Sequence, residues 1–202
     1  HSASDVFSTV IVMVGVKLSG KESDANHPYG HERLECVAAI LLAVILAATG
    51  LGIGYQGIEV IWSGDTGKIN VPTMLPLIAA IVSIAVKEGM YWYTIAVAKK
   101  LQSGALKADA WHHRSDALSS VGSFAGILGA KIGFPVLDPV ASIVISIFIL
   151  KAAYDIFMDA VGKLTDEACD AQTVEQMRQC ILGRDGVFGI DDIKTRMFGN
   201  KI

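Results

Sequence analysis

Charge is scarce in this sequence, at 18% of its 202 residues, and what there is lies unevenly. Cys36 to Ile58 carry none at all, a run longer than the roughly 20 apolar residues a bilayer-spanning helix needs. No block of like charges forms a binding tail and the net charge is only −3, so no nucleic-acid partner is expected. Cysteine is nearly absent: Cys36, Cys169 and Cys180 form no CxxC pair, which argues against a disulfide framework or a thiolate zinc site and for reduced thiols. The chain opens on a polar His-Ser-Ala-Ser-Asp stretch rather than a basic region followed by an apolar one, so no signal peptide is expected, and without an initiator Met it reads as a fragment. Hydrophobic residues, at 52%, are what abounds, and with a mean hydropathy of +0.48 they point to a membrane protein.

Five apolar segments, 1–18, 34–62, 73–98, 106–132 and 138–161, are each long enough for a helical span with some tilt. Ser19-Gly20, Ser63-Gly64-Asp65, Pro72 with Pro76, and Gly133-Phe134-Pro135 punctuate them. From Gly162 the pattern turns soluble. Residues 170–183 read as an amphipathic helix with Val174, Met177 and Ile181 on one face, and Val187 to Met197 read as a strand. Lys17, Lys21 and Arg33 flank the first loop and Lys99, Lys100 and Lys107 the third, which by the positive-inside rule puts these loops and the tail in the cytoplasm. The Gly50, Gly52, Gly54 and Gly57 run contains a GxxxG, which permits close helix packing and suggests a dimer seam.

His1 and Asp5 in the first segment, and His112 and Asp116 in the fourth, are spaced four residues apart, so each pair stacks on one helix face. An ionisable group at the centre of a membrane costs roughly 2.5–3.5 kcal/mol on insertion scales. A divalent cation removes that cost, and two imidazoles with two carboxylates close a tetrahedron suited to Zn²⁺. In the first loop Asp24, His27 and His31 follow at spacings of three and four, with Pro28 and Gly30 allowing a turn, a set that could hold a second, solvent-exposed Zn²⁺. His113 is rotated about 100° from His112 and is left out of the ligand set. Lys87 and Glu88 interrupt the third span and read either as a proton path or as charges paired near the cytoplasmic end. Glu59, Asp138, Lys151 and Asp155 read as interfacial.

The stretches at 1–5, Asp-Ala-Asn-His-Pro-Tyr-Gly-His-Glu-Arg-Leu-Glu at 24–35 and His-His-Arg-Ser-Asp-Ala-Leu-Ser-Ser at 112–120 resemble the second helix, following loop and fifth helix of the cation diffusion facilitator family. The resemblance implies an all-α polytopic membrane protein with helices two to six of a six-helix domain, over 1–161, and the start of an α+β ferredoxin-like cytoplasmic domain, over 162–202. It implies a homodimeric Zn²⁺/H⁺ antiporter of the plasma membrane rather than an enzyme, with Zn²⁺ as cargo and also as a structural ion. His1, Asp5, His112 and Asp116 would form the transport site, Asp24, His27 and His31 the loop site, and Arg33 with Asp166 a charge interlock. The family's binuclear cytoplasmic site would lie outside this sequence. Fe²⁺, Co²⁺, Cd²⁺ or Mn²⁺ export, and a metal sensor that does not transport, are the alternatives.

Overall fold

A computed structural model describes the backbone of residues 2–63, 74–131 and 136–198, and the side chains of 7–63, 81–122, 124, 136–137 and 139–198. Six helices occur among them: α1 (Ser2–Ser19), α2 (Arg33–Ser63), α3 (Met74–Leu101), α4 (Gly104–Lys131), α5 (Leu137–Leu164) and α6 (Ala171–Leu182). Of these, α2 and the Pro139–Leu164 part of α5 are long and apolar enough to cross a membrane, and α1 contributes a shorter apolar stretch, Phe7–Ser19.

Helix α4 is the central post. It packs against α1, α2, α3 and α5, while α2 runs along α5 and α1 lies on α2. The α3–α4 connection is only Gln102 and Ser103. Gln102 turns the chain with φ 56°, and Ser103 caps α4 by accepting the Leu106 N–H on Oγ at 3.2 Å. So tight a link makes α3 and α4 antiparallel neighbours.

The distribution of side chains is inverted relative to a water-soluble bundle. Phe7, Met13, Leu41, Val44, Leu51, Tyr55, Ile147, Phe148 and Tyr154 face outward. The interior is built of Ala38, Ala39, Ala43, Ala105, Ala108, Ala117 and Ala153 around Leu42, Leu46, Ile149 and Ile156, and it also holds Ser8, Asp109, His112, His113, Ser115, Asp116 and Ser146. Lipid gives no reason to hide apolar groups, so small residues that let backbones approach line the contacts, and polar groups gather inside.

The glycine run of α2 is used within the chain. A Cβ on Gly54 would lie 2.8 Å from Ser146 Oγ, and one on Gly57 would lie 2.9 Å from the Pro139 carbonyl, so both glycines face α5. Gly50 faces Ile149 and Leu150 of the same helix, whereas Gly52 has nothing within 4 Å of its Cβ position. The GxxxG reading as a dimer seam is corrected accordingly. At the α1–α2 crossing a Cβ on Gly15 would collide with that of Ala38.

Two features near the carboxyl end also differ from the sequence reading. The fifth apolar segment is drawn to 161, yet α5 continues through Gly162 to Leu164, a glycine inside a helix costing only about 1 kcal/mol. Val187 to Met197 do not form a strand: no strand partner exists among the described residues, and a single strand cannot close its backbone hydrogen bonds. Instead the Met197 N–H bonds to the Glu167 carbonyl at 2.8 Å. Helix α6 forms as expected, started by Asp170, whose carboxylate accepts the Thr173 N–H at 2.9 Å. Val174 and Met177 are half-buried and Ile181 is exposed.

The tail is joined to the first loop by a clasp. Asp166 leaves α5 in the left-handed region with φ 61°, which an Asp tolerates better than most residues. Its Oδ1 accepts from Arg33 Nη2 and lies 3.7 Å from Arg196 Nη1. The two guanidinium groups also cover rings, Arg33 over Phe198 at 5.3 Å and Arg196 over Tyr29 at 5.9 Å.

Two outcomes follow for stability in detergent. Gly57→Ala should lower the thermal unfolding midpoint, because overpacking costs about 1–3 kcal/mol against a helix-propensity gain of up to about 1 kcal/mol. Gly52→Ala should be neutral or stabilising, and equal tolerance at both positions would contradict the packing described. In the clasp, Asp166→Ala should cost at least as much as Arg33→Ala, since it strips both arginines of a shared partner. Partners this exposed are coupled by about 0–1 kcal/mol, and a double-mutant cycle on thermal unfolding checks that range.

Candidate metal centre

Four ionisable side chains, Asp109, His112, His113 and Asp116, recur on α4 at i, i+3, i+4 and i+7, within an arc of about 100°. All four residues are buried. The helix thus carries two interleaved four-residue pairs. One is His112 with Asp116. The other, Asp109 with His113, escaped the sequence reading, although its DxxxH spacing was there to be seen. His113 Nε2 lies 3.5 Å from Asp109 Oδ2, and Asp109 Oδ1 is buried with no hydrogen-bond partner among the described residues. His113, set aside as rotated off the site, is therefore buried beside a carboxylate of its own.

Of the other half of the expected quartet, Asp5 lies on α1, which packs against α4, at a position whose side chain is outside the described set. His1 lies outside the described residues.

Helix α3 brings two charges to α4, one of them to this stripe. Lys87 Nζ pairs with Asp116 Oδ2. Glu88 Oε1 lies 3.8 Å from Arg114 Nη2, and the Arg114 guanidinium sits 4.4 Å from the Tyr91 ring centre and 5.5 Å from that of Trp111. Both charges are paired across to α4, as one of the two sequence readings has it, and Lys87 lies at the middle of α3 (Met74–Leu101), with about 20 Å of helix to either side. Neither its burial nor its partner can be read from hydropathy, which registers only that a charge interrupts the span.

The loop residues Asp24, His27 and His31 converge, with one potential ligand atom from each within 4.8 Å of the others. A tight turn achieves this. Asp24 Oδ1 accepts the Asn26 and His27 N–H groups at 3.0 and 2.8 Å, and Gly30, at φ 91°, reverses the chain ahead of His31. The His27 and His31 rings lie 4.4 Å apart. Lys21 Nζ bonds Asp24 Oδ2 at 3.0 Å. This ammonium, then the His27 N–H, holds the Asp24 carboxyl well below the usual carboxylate range. His31 is buried, and its Nδ1 has no hydrogen-bond partner among the described residues. Arg33 and Asp166, named from the sequence as an interlock, meet in the clasp. Arg196 joins them there without having been foreseen, since nothing in a lone tail arginine marks its target.

The profile of the cation efflux transmembrane domain matches residues 1–165, which takes in α1 to α5. The chain is 40% identical over 202 residues to an uncharacterised transporter of Methanocaldococcus jannaschii, covering all of this chain and 70% of that protein. It is 36% identical over 214 residues to metal tolerance protein C1 of Arabidopsis thaliana, covering all of this chain and 45% of that protein. To manganese efflux system protein MneS of Bacillus subtilis it is 33% identical over 202 residues, covering all of this chain and 68% of that protein. With its five long helices inside one family profile and its whole length aligned to these relatives, the chain belongs to the cation diffusion facilitator family of membrane-embedded metal cation efflux proteins.

Proposed function

We propose that the protein exports Zn²⁺ in exchange for protons, through a tetrahedral site made by His1, Asp5, His112 and Asp116. The observation that carries this reading is the burial of an imidazole and a carboxylate one turn apart on α4, the helix that touches the other four long helices. Zinc needs neutral imidazoles and ionised carboxylates, so each ligand that releases the metal is a group that can take a proton, which couples the two flows. Alternating access then amounts to rocking of helices around α4. Residues 1–161 form the transport unit and 162–202 lead into a cytoplasmic part, in a homodimer in the plasma membrane. The loop set Asp24, His27 and His31 holds a further Zn²⁺ outside the transport path.

Mn²⁺ export is the second reading, favoured by the relative named as a manganese efflux protein. Ligand chemistry opposes it: imidazole suits zinc, while Mn²⁺ prefers oxygen-rich, octahedral surroundings.

Transport in proteoliposomes with an imposed pH gradient separates the readings. Zn²⁺ should move against protons, faster than Mn²⁺, and Mn²⁺ carried as fast as Zn²⁺ would reject zinc selectivity. Asp116→Ala should cost more than the roughly 10–100-fold typical of losing a group outside the ligand shell, and undiminished Zn²⁺ transport by it would remove Asp116 from the site. Binding without counterflow would leave a sensor.

The loop has a pH signature. Because the folded-state pKa of Asp24 is lowered, the carboxylate's hold on the turn is complete above its unfolded value of about 4 and is lost only as pH falls through the lower folded value. In metal-free protein the His27 amide, corrected for intrinsic exchange, should therefore stay protected from pH 7 down to about 4. Loss of protection between pH 7 and 5 would contradict this.

A further inference from the structure

We propose that Lys87 is the resident cation of the transport site, an intramolecular competitor that neutralises Asp116 when no metal is bound and must leave when the metal arrives. The proposal rests on the reading of Asp116 as a metal ligand.

Position comes first. Lys87 has about 20 Å of α3 on either side, far more than its side chain can span, so it cannot carry its charge past either helix end. It needs an anion at its own depth, and the structure supplies Asp116, with the lysine side chain about four-fifths buried. A metal held by Asp116 would bind the same carboxylate. An ammonium and a divalent ion on one carboxylate repel each other strongly where water is excluded, so loading requires Lys87 to withdraw.

Chemistry next distinguishes the two cations that α3 and α4 share. Arg114 is held by Glu88 and by the faces of Tyr91 and Trp111, and its planar group is fixed on several sides. Lys87 carries a compact point charge on a flexible stem, which suits a partner that has to detach. The loop repeats the arrangement at its own candidate ligand, where Lys21 sits on Asp24 Oδ2.

The consequence is a site that binds metal less tightly than its donors alone would. A carrier has to release its cargo, and a displaced lysine that stays nearby favours release. The metal-free site also stays paired, so the empty protein is not left with a bare buried carboxylate.

The test measures Zn²⁺ binding by calorimetry in detergent, with Asp24, His27 and His31 replaced by Ala to silence the loop. In that background Lys87→Met should tighten Zn²⁺ binding by about tenfold or more, and Lys87→Arg should not. Unchanged or weaker binding by Lys87→Met would overturn the proposal. Asp116→Ala in the same background separates the two ideas: if it leaves Zn²⁺ binding intact, the ligand assignment has failed rather than the role of the lysine. Should Lys87→Met not fold, the loop-silenced protein with Lys87 intact still decides. Zn²⁺ should speed acetic anhydride labelling of Lys87, read by mass spectrometry, and unchanged or slower labelling would overturn the proposal.

Discussion

A carboxylate inside a membrane-spanning bundle must have a cation, and the arrangement around Asp116 follows from that need. Desolvating an isolated carboxylate costs several kcal/mol even after the protein relaxes. Here the charge is met by the Lys87 ammonium on the facing helix. The helix that carries Asp116 also carries Asp109, His112 and His113 on the same buried stripe. Small residues line the contacts among the surrounding helices, Gly15 against Ala38 between α1 and α2 and Gly50, Gly54 and Gly57 against α5, which lets those helices approach closely. Outside lie large apolar side chains such as Leu51, Tyr55, Ile147 and Phe148. The inverted distribution is thus the consequence of a polar line held in a protein whose surface is dissolved in lipid.

The clasp gives the loop a mechanical tie to the rest of the chain. His27, Tyr29, Arg33, Asp166, Arg196 and Phe198 line one cavity of about 450 Å³. A metal drawn to His27 would therefore sit beside the residues that fasten the tail to the first loop. Asp166 serves two arginines at once, one at the start of α2 and one in the tail, so the position of each bears on the other.

Much of this was legible in the sequence, and the missing parts share a cause. The long helices show as charge-poor runs, and α6 shows by its period. His112 and Asp116 stand out because a four-residue spacing is a local fact about a helix. Partners are not local. Nothing in hydropathy says that Lys87 reaches Asp116, 29 positions away in the chain, or that Arg196 reaches Asp166. The face to which Gly50, Gly54 and Gly57 turn is likewise set by tertiary packing, so a GxxxG cannot say which helix it receives. The strand expected over Val187 to Met197 failed for a related reason: alternation marks a segment able to pair, and pairing requires another strand.

The central claim is that a metal held by two imidazoles and two carboxylates replaces the lysine at Asp116. Zinc K-edge X-ray absorption tests it most directly, on metal-loaded protein whose loop ligands have been replaced. Four nitrogen or oxygen scatterers at about 2.0–2.1 Å, with the outer-shell pattern of two imidazole rings, are the predicted result. A sulfur scatterer, or a six-coordinate shell of oxygen alone, would contradict it.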